Sequence, residues 1–343
     1  MTTIKDIAKE AGVSVTTVSR ALNGYYDVNE NTRKKIQQIA AELNYSPNSV
    51  ARSLVTSKTK TIGLLVSELS RSALKDSFMV EIMGGLNAYA GEAGYDLILF
   101  STDSAKQRLK SYSQLCRERQ VEGAIMLGMK KDDPYLTEVI ESNIPCVLID
   151  IEMSGENVGY VTTDNEFGAQ TAVKHLINLG HRNIAMVNGH DQALVSQHRL
   201  KGYKKELQEA GITFRQHWVV DGQFQEETAE KEAEKLLQEY PEISALFCAS
   251  DLMALGAMRS AKKLGRNIPE SLSIAGFDDI VLASYAHPPL TTVAQDKYKM
   301  GYEAGKLLLH ILNGDPTKRV TILDNHLVIR NTTTANNQKV PFN

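Results

Sequence analysis

From Ile62 onward the chain repeats one texture. Short apolar runs recur at Ile62–Val66, Leu97–Phe100, Ala124–Leu127, Cys146–Ile149, Ile184–Val187, Ala245–Phe247 and Leu272–Ala275. Stretches of helical periodicity lie between them, at 165–179, 197–210, 226–238, 251–263 and 297–312. A strand covered on both faces reads as a continuous apolar run, and a parallel neighbour requires a crossover, usually helical. The alternation predicts an α/β body with parallel sheets. Residues 62–330 are too many for one mononucleotide-type sheet, so two similar lobes are expected.

The first 45 residues carry no strand pattern. Asp6 to Glu10 opens a short helix, and Gly12 follows closely. A second helix runs from Val13-Ser14 to the stop signal Asn23-Gly24. A third is expected behind a cap at Asn31-Thr32, with Ile36, Ile39, Ala40 and Leu43 at helical spacing. Ala8, Gly12 and Val18 stand four and six residues apart. That spacing suits a helix-turn-helix: a small residue at the crossing, a glycine where the turn needs a positive φ, and an aliphatic facing back. Thr16, Thr17, Ser19 and Arg20 then lie on the open face of the second helix. Such hydrogen-bonding side chains read base edges and phosphates in a major groove, and Arg20 suits a guanine edge or a phosphate. The bland alternative is an αα-hairpin with a polar face.

Charge favours the DNA reading. Residues 1–60 hold nine Lys/Arg against five Asp/Glu, while the remainder holds 29 against 36. A basic head on an acidic body directs a polyanion to the head alone. Hydrophobic residues make up 42% and charged residues 23%, the balance of a globular chain. No apolar run reaches membrane length, no secretory h-region opens the chain, and Cys116, Cys146 and Cys248 are few and far apart. A cytoplasmic protein without disulfides, metal or cofactor is expected. Gly-x-Ser-x-Gly, P-loop, Rossmann and HExxH patterns are missing, and His175, His181, His190 and His198 fall at non-ligand spacings. An enzyme is not expected.

The string TIKDIAKEAGVSVTTVSRALN resembles the N-terminal signature of the lac repressor (LacI/GalR) family of bacterial transcription regulators. The resemblance continues through LNYSPNSVARSL and through ISALFCASDLMALGAMRSAKKLGRNIPESLSIAGFDDIVLASYAHPPLTTVAQD, covering about residues 2–330. It implies a helix-turn-helix domain at 1–46, a hinge helix and linker at 47–61, and a two-lobed, periplasmic-binding-protein-like effector and dimerisation domain at 62–330. Lobe 1 is expected at about 62–160 and 291–323, and lobe 2 at about 161–290 and 324–330. A loose polar tail is expected at 331–343.

By the same resemblance, Thr16, Thr17, Ser19, Arg20 and Asn23 meet the major groove. Asn48, Ala51, Arg52 and Leu54 belong to a hinge that folds on DNA, with Leu54 as a minor-groove wedge. Phe78, Asp150, Arg199, Phe224, Ser250, Asp278 and Gln295 face an effector cleft. Polar residues just after apolar runs are the ones expected there in open α/β sheets. Alternatives stand beside them: Asp251 as a helix cap, Asp164-Asn165 as another, Asp279 bonded to its own turn, Arg199 as an interlobe ion pair, and Trp218 as packing. The expected partners are a pseudo-palindromic double-stranded operator, a mono- or oligosaccharide effector and a second copy of the chain; no heptads predict a tetramer. The expected function is a repressor of carbohydrate transport or catabolism genes, released by its effector. A corepressor-dependent or global catabolite regulator is the alternative. One departure stands out: the family's short Asn-Pro-aromatic turn after the first strand is replaced by a longer segment, residues 67–78, without that proline.

Overall fold

The computed structural model describes residues 2–45, 58–67, 77–102, 110–131, 133–316 and 318–336. The chain divides into two units, Met1–Thr59 and Lys60–Asn343.

The described part of the first unit is helical. Helix α1 (Ile4–Ala11) opens where the Thr3 N–H and hydroxyl both donate to the Asp6 carboxylate, at 2.8 and 2.7 Å. It ends at Gly12, whose φ of +70° turns the chain toward α2 (Val15–Leu22). A Cβ would find open space there, so a side chain at this position is opposed by the backbone conformation alone, at about 1–2 kcal/mol. Ser14 caps α2 by accepting from the Thr17 N–H at 3.0 Å. Helix α3 (Glu30–Glu42) begins earlier than Asn31-Thr32 suggested. Asn29 is the cap, its side-chain oxygen accepting from the Asn31 N–H at 2.9 Å. Ile7, Val18 and Ile36, one from each helix, are wholly buried in the small core they share.

The second unit holds two six-stranded sheets. In chain order it runs β1 (Thr61–Ser67), α4 (Ser77–Glu92), β2 (Asp96–Thr102), α5 (Tyr112–Glu118), β3 (Gly123–Leu127), α6 (Pro134–Glu141), β4 (Cys146–Ile149) and β5 (Val158–Thr163). The second lobe follows with α7 (Asn165–Asn178), β6 (Ile184–Asn188), α8 (Leu194–Glu209), β7 (Val219–Asp221), α9 (Glu226–Glu239), β8 (Ala245–Cys248), α10 (Asp251–Lys263), β9 (Ser273–Asp278), α11 (Val281–Tyr285) and β10 (Thr291–Gln295). The chain returns through α12 (Lys297–Leu312) and β11 (Val320–Leu323) and ends its regular structure with β12 (Asn325–Val328). The first sheet is ordered β11-β5-β4-β3-β1-β2 and is parallel throughout; the second is β12-β10-β9-β8-β6-β7, parallel except for β12. Each of β3, β4, β6, β8 and β9 is buried along its length, which is why the apolar runs were visible.

Two expectations are corrected. The second lobe was expected to take 161–290, leaving 291–323 to the first. Strand β5 stays in the first sheet to Thr163, and β10 lies in the second, paired with β9 from Thr291↔Ala275 to Ala294↔Asp278. The chain therefore changes lobe around Asp164, Asp296 and Asp324. The tail was expected to be loose from 331, but it is docked to Asn336. The Ile274 N–H donates to the Thr332 carbonyl at 2.8 Å, and the Thr332 hydroxyl donates to the Ile274 carbonyl at 2.7 Å. Thr332 is wholly buried, and the Asn336 N–H donates to the Leu179 carbonyl. Polarity here signalled hydrogen bonding to the starts of β9 and β10, not solvation.

His181 joins these parts. Its Nδ1 meets the Ser244 hydroxyl at 2.9 Å, and its Nε2 lies 3.0 Å from the Ser273 hydroxyl and 3.1 Å from the Thr334 carbonyl. Burial holds its pKa below the ordinary 6.5. As the pH falls, the unfolded chain therefore takes up a proton before the folded one does. The stability His181 confers is whole above about pH 6.5 and is lost as the pH descends toward the folded pKa. Urea midpoints measured at pH 7.5 and 5.5 should drop in the native chain and drop less in His181→Gln. Half-buried His175, shifted the same way, supplies a remaining slope.

Candidate functional site

Two surfaces concentrate the expected residues, one in each unit. On the helical unit, Val15 is 41% exposed and Thr16 is exposed at the start of α2, while Ser19 and Arg20 are half-buried. Not every expected side chain is equally available. The Thr17 hydroxyl lies 2.8 Å from that of Ser14, inside the cap. Asn23 donates its amide to the Ser19 carbonyl at 2.8 Å and closes the helix. Arg20 pairs with Asp27 and lies over the Tyr25 ring. Val15, which polarity-based reasoning passed over, is exposed on the same turn as Thr16. An exposed aliphatic in the first turn of a groove-reading helix suits a thymine methyl. Asn48, Ala51, Arg52 and Leu54 lie outside the described residues, as do residues 68–76 of the lengthened loop.

In the second unit a cavity of about 260 Å³ opens between the lobes. Phe78, Asp150, Arg199, Phe224, Ser250 and Asp278 all line it. Four of them sit where the topology puts ligand groups, at the carboxyl end of a strand or the start of a helix, while Arg199 lies in the second turn of α8 and Phe224 in the loop before α9. Phe78 lies in the first turn of α4, Asp150 follows β4, Ser250 caps α10 and Asp278 ends β9. Gln295 is the exception. It is buried behind the wall, its amide donating to the Asp278 Oδ1 at 2.6 Å, so it orients a cavity residue without lining the cavity.

Arg199 organises the floor. It is 2% exposed. Its Nε donates to the Asn165 Oδ1 at 2.8 Å, and one terminal nitrogen donates to the Ala249 carbonyl at 2.5 Å. The same nitrogen lies 3.5 Å from Asp278, and the Phe277 ring supports the guanidinium at 3.8 Å. These partners belong to the second lobe, and across the cleft the Arg199 charge also acts on Asp150 of the first lobe. Asn165 is likewise an arginine partner and not a cap; Asp164 is the cap, accepting from the Phe167 N–H at 2.9 Å. Asp251 neither caps α10 nor lines the cavity. Fully buried, it accepts from the Ile280 N–H at 2.8 Å and the Thr292 hydroxyl at 2.5 Å, fixing the turn after Asp278. Asp279 pairs with Arg330 at 2.7 Å. Trp218 is buried in the second-lobe core.

Burial pushes the Asp150 carboxyl upward, against a hydrogen bond from the Thr162 hydroxyl at 2.7 Å and the charge of Arg199. Three cavity residues hold left-handed backbone: Asp150 at φ +62°, Phe224 at +53° and Asp278 at +110°. Such conformations cost about 1–3 kcal/mol for residues other than glycine and gather at binding sites. Phe224 meets His190 edge to face at 5.6 Å. A Cβ at Gly189 would overlap the Phe224 ring, so the glycine makes room for it. Leu127, Met129, Ile151, Leu194 and Val195 complete an apolar wall that a search for polar residues could not find. Their signal was position alone: Met129 and Ile151 each lie two residues past the end of a strand run.

Lys297 bridges the lobes beside this floor. Its side chain is 4% exposed, and its Nζ donates to the carbonyls of Asp278 at 2.6 Å and Asp279 at 2.9 Å. Glu81 of α4 lies 3.6 Å away, and the Val281 N–H donates to the Ser77 hydroxyl. Among the described residues, no cluster of three or more His, Cys, Asp or Glu side chains could hold a metal ion, and no helix is long and apolar enough to cross a membrane.

Replacing Lys297 by Met keeps the stem and removes the bonded ammonium, leaving the Asp278–Asp279 carbonyls unpaired. Breaking such a buried network costs about 3–5 kcal/mol at most. Lys297→Met should lower the melting temperature and raise hydrogen exchange at 278–281 more than in the core of β8. Uniform exchange across both would remove Lys297 as the local tie.

Comparison with known proteins agrees with this geometry. Residues 3–48 match the bacterial regulatory proteins of the lacI family, and residues 173–333 match the periplasmic binding protein-like domain. The HTH-type transcriptional repressor PurR of Vibrio vulnificus is 36% identical over 335 residues, covering 97% of this chain and 98% of the relative. A solved complex of the transcriptional regulator CelR with cellobiose is 31% identical, with a TM-score of 0.75, over 97% of this chain and 100% of that one. The lac repressor dimer bound to operator and the anti-inducer ONPF is 29% identical, with a TM-score of 0.83, over 97% and 99%. With its helix-turn-helix unit and two-lobed body, the chain belongs to the LacI family of bacterial regulatory proteins, DNA-binding transcriptional repressors that respond to effectors.

Proposed function

We propose that this chain is a homodimeric, cytoplasmic repressor of carbohydrate-related genes, binding a pseudo-palindromic operator and controlled by a neutral sugar. The observation that carries the effector class is the interlobe cavity, lined together by the Asp150 and Asp278 carboxylates, Arg199 and the Phe78 and Phe224 rings. Carboxylates accept from hydroxyls, and aromatic faces cover the apolar face of a pyranose. Two carboxylates against one arginine oppose an anionic effector such as a sugar phosphate. The relative solved with cellobiose supports the same class.

Isothermal titration of the full chain against neutral mono- and disaccharides, sugar phosphates and nucleobases tests this. A neutral saccharide should bind, and Phe224→Ala and Asp150→Asn should each weaken it about 10-fold or more. Binding by a sugar phosphate or nucleobase alone would overturn the sugar reading. Repeating the titration with operator DNA gives the sign of control. An inducer binds about 5- to 150-fold more weakly on operator, a corepressor correspondingly more tightly.

The dimer is supported by an exposed apolar surface on the second lobe. Tyr285 is 81% exposed, Val281 56% and Leu282 41%. Leu282 and Tyr285 border a groove of about 380 Å³ with Leu255 and Met258. One relative was solved as a dimer on operator. Sedimentation should show a dimer for the native chain and mostly monomer for Tyr285→Asp, with operator affinity falling together with dimerisation. An unchanged dimer in that variant would place the interface elsewhere.

A further inference from the structure

We propose that Asp27 and Tyr25 are positioning residues for DNA reading: they hold the Arg20 guanidinium so that its end-on edge is free for a guanine. The proposal rests on the reading of α2 as the groove helix and names what sets its specificity.

Arg20 and Asp27 meet side-on. The arginine Nε donates to Oδ1 at 3.1 Å, and one terminal nitrogen lies 2.6 Å from Oδ2. A guanidinium carries five N–H donors in a planar fork. The side-on pair uses the Nε hydrogen and one of the terminal hydrogens. The remaining edge, made by the two terminal nitrogens, is the one that meets guanine O6 and N7 together. Tyr25 fixes the plane, its ring centroid lying 4.7 Å from the guanidinium carbon.

The turn that carries both residues is itself tied down. The Tyr25 N–H donates to the Arg20 carbonyl at 3.1 Å, and its carbonyl accepts from Arg33 at 2.6 Å. Val28, next to Asp27, is buried in the head core. The positioning pair is therefore anchored to α2 at one end and to α3 at the other.

Stability does not account for this carboxylate. Both partners are 42% exposed, and such surface pairs contribute little. Against a polyanion, an acid beside the reading helix is a liability. Orientation of Arg20 gives that position a use: the carboxylate lowers attraction to every phosphate while raising discrimination at one base pair.

The test uses the full chain. A palindromic fragment is selected from a randomised library, and the guanine whose preference disappears in Arg20→Ala marks the contacted position. At that base pair the native chain should favour G·C by about 10- to 100-fold over A·T. In Asp27→Asn and Asp27→Ala the ratio should fall to about 3-fold or less. Affinity for random competitor DNA should rise in the same variants, with a steeper salt dependence. Tyr25→Ala should reduce the ratio without that rise. Opposite movement of the two affinities cannot come from loss of folding, which weakens both; circular dichroism of each variant checks the fold directly.

A G·C ratio unchanged in both Asp27 variants, with Arg20→Ala still losing it, would overturn the proposal and leave the groove reading intact. A ratio that improves in Asp27→Ala would show that Asp27 competes with DNA for Arg20, and would overturn it too. If Arg20→Ala keeps every base preference, the assignment of Arg20 to a base fails, and the proposal fails with it for that separate reason.

Discussion

A charged group taken out of water must be met on every side, and in this chain Arg199 is that group. Its guanidinium is almost wholly buried, so its donors and its face all require partners. It finds Asn165 on α7, the Ala249 carbonyl after β8, Asp278 at the end of β9 and the Phe277 ring. Three strand-to-helix connections of the second lobe thus converge on one side chain. Asp278 presents a carboxylate to the cavity in a fixed attitude because Arg199 and Gln295 hold it from behind. Removing the arginine would leave a buried carboxylate and an unpaired carbonyl together, so the floor of the cleft stands or falls as a unit.

Rigidity on that floor makes lobe movement meaningful. Asp150, Phe224 and Asp278 sit in left-handed backbone, a conformation kept only where surroundings impose it. Lys297 ties the carbonyls of Asp278 and Asp279 to the first-lobe side, with Glu81 beside it. A ligand engaging Asp150 on one lobe and Asp278 on the other acts on two prebuilt surfaces joined by contacts that include the buried Lys297 ammonium. Its binding energy is then available to bias the angle between lobes, because little of it goes into assembling the site.

The sequence made the body legible where a strand is buried on both faces. Every apolar run it flagged lies within or overlaps a strand, and helix bounds at 165–179, 226–238, 251–263 and 297–312 fall within a residue of those observed. It flagged no run at β5, β7, β11 or β12, and it read the Thr291–Ala294 run of β10 into the wrong lobe. Thr291 and Thr292 are wholly buried yet polar, satisfied by Thr332, Thr333 and Asp251. Hydrophobic patterning cannot see a strand whose neighbours supply hydrogen bonds instead of apolar contact. The docked Thr332–Asn336 segment escaped for the same reason. In the cleft, the polar residues were legible because charge near a strand end is conspicuous. The wall of Met129, Ile151, Leu194 and Val195 was not, since an apolar residue at a ligand face and one in a core look alike. Gln295 shows the converse error, a polar residue at the right strand end whose side chain is already committed to Asp278.

The helical unit poses a different balance. Its positive charge attracts any duplex, and phosphate contacts carry no sequence information. On the proposed reading of α2 as the groove helix, major-groove discrimination rests on the few side chains it exposes, and two of the expected ones are occupied: Thr17 by the cap and Asn23 by the helix end. What remains is small, namely Val15, Thr16, Ser19 and the free edge of Arg20. A long, flexible arginine reads poorly unless its plane is set beforehand, because ordering it on contact costs rotamer entropy. A carboxylate seven residues along the chain, placed by a buried valine and faced by a tyrosine ring, removes that cost before DNA arrives. The negative charge weakens attraction to all sequences alike, and against a genome of competing sites a higher ratio is worth more than a higher affinity.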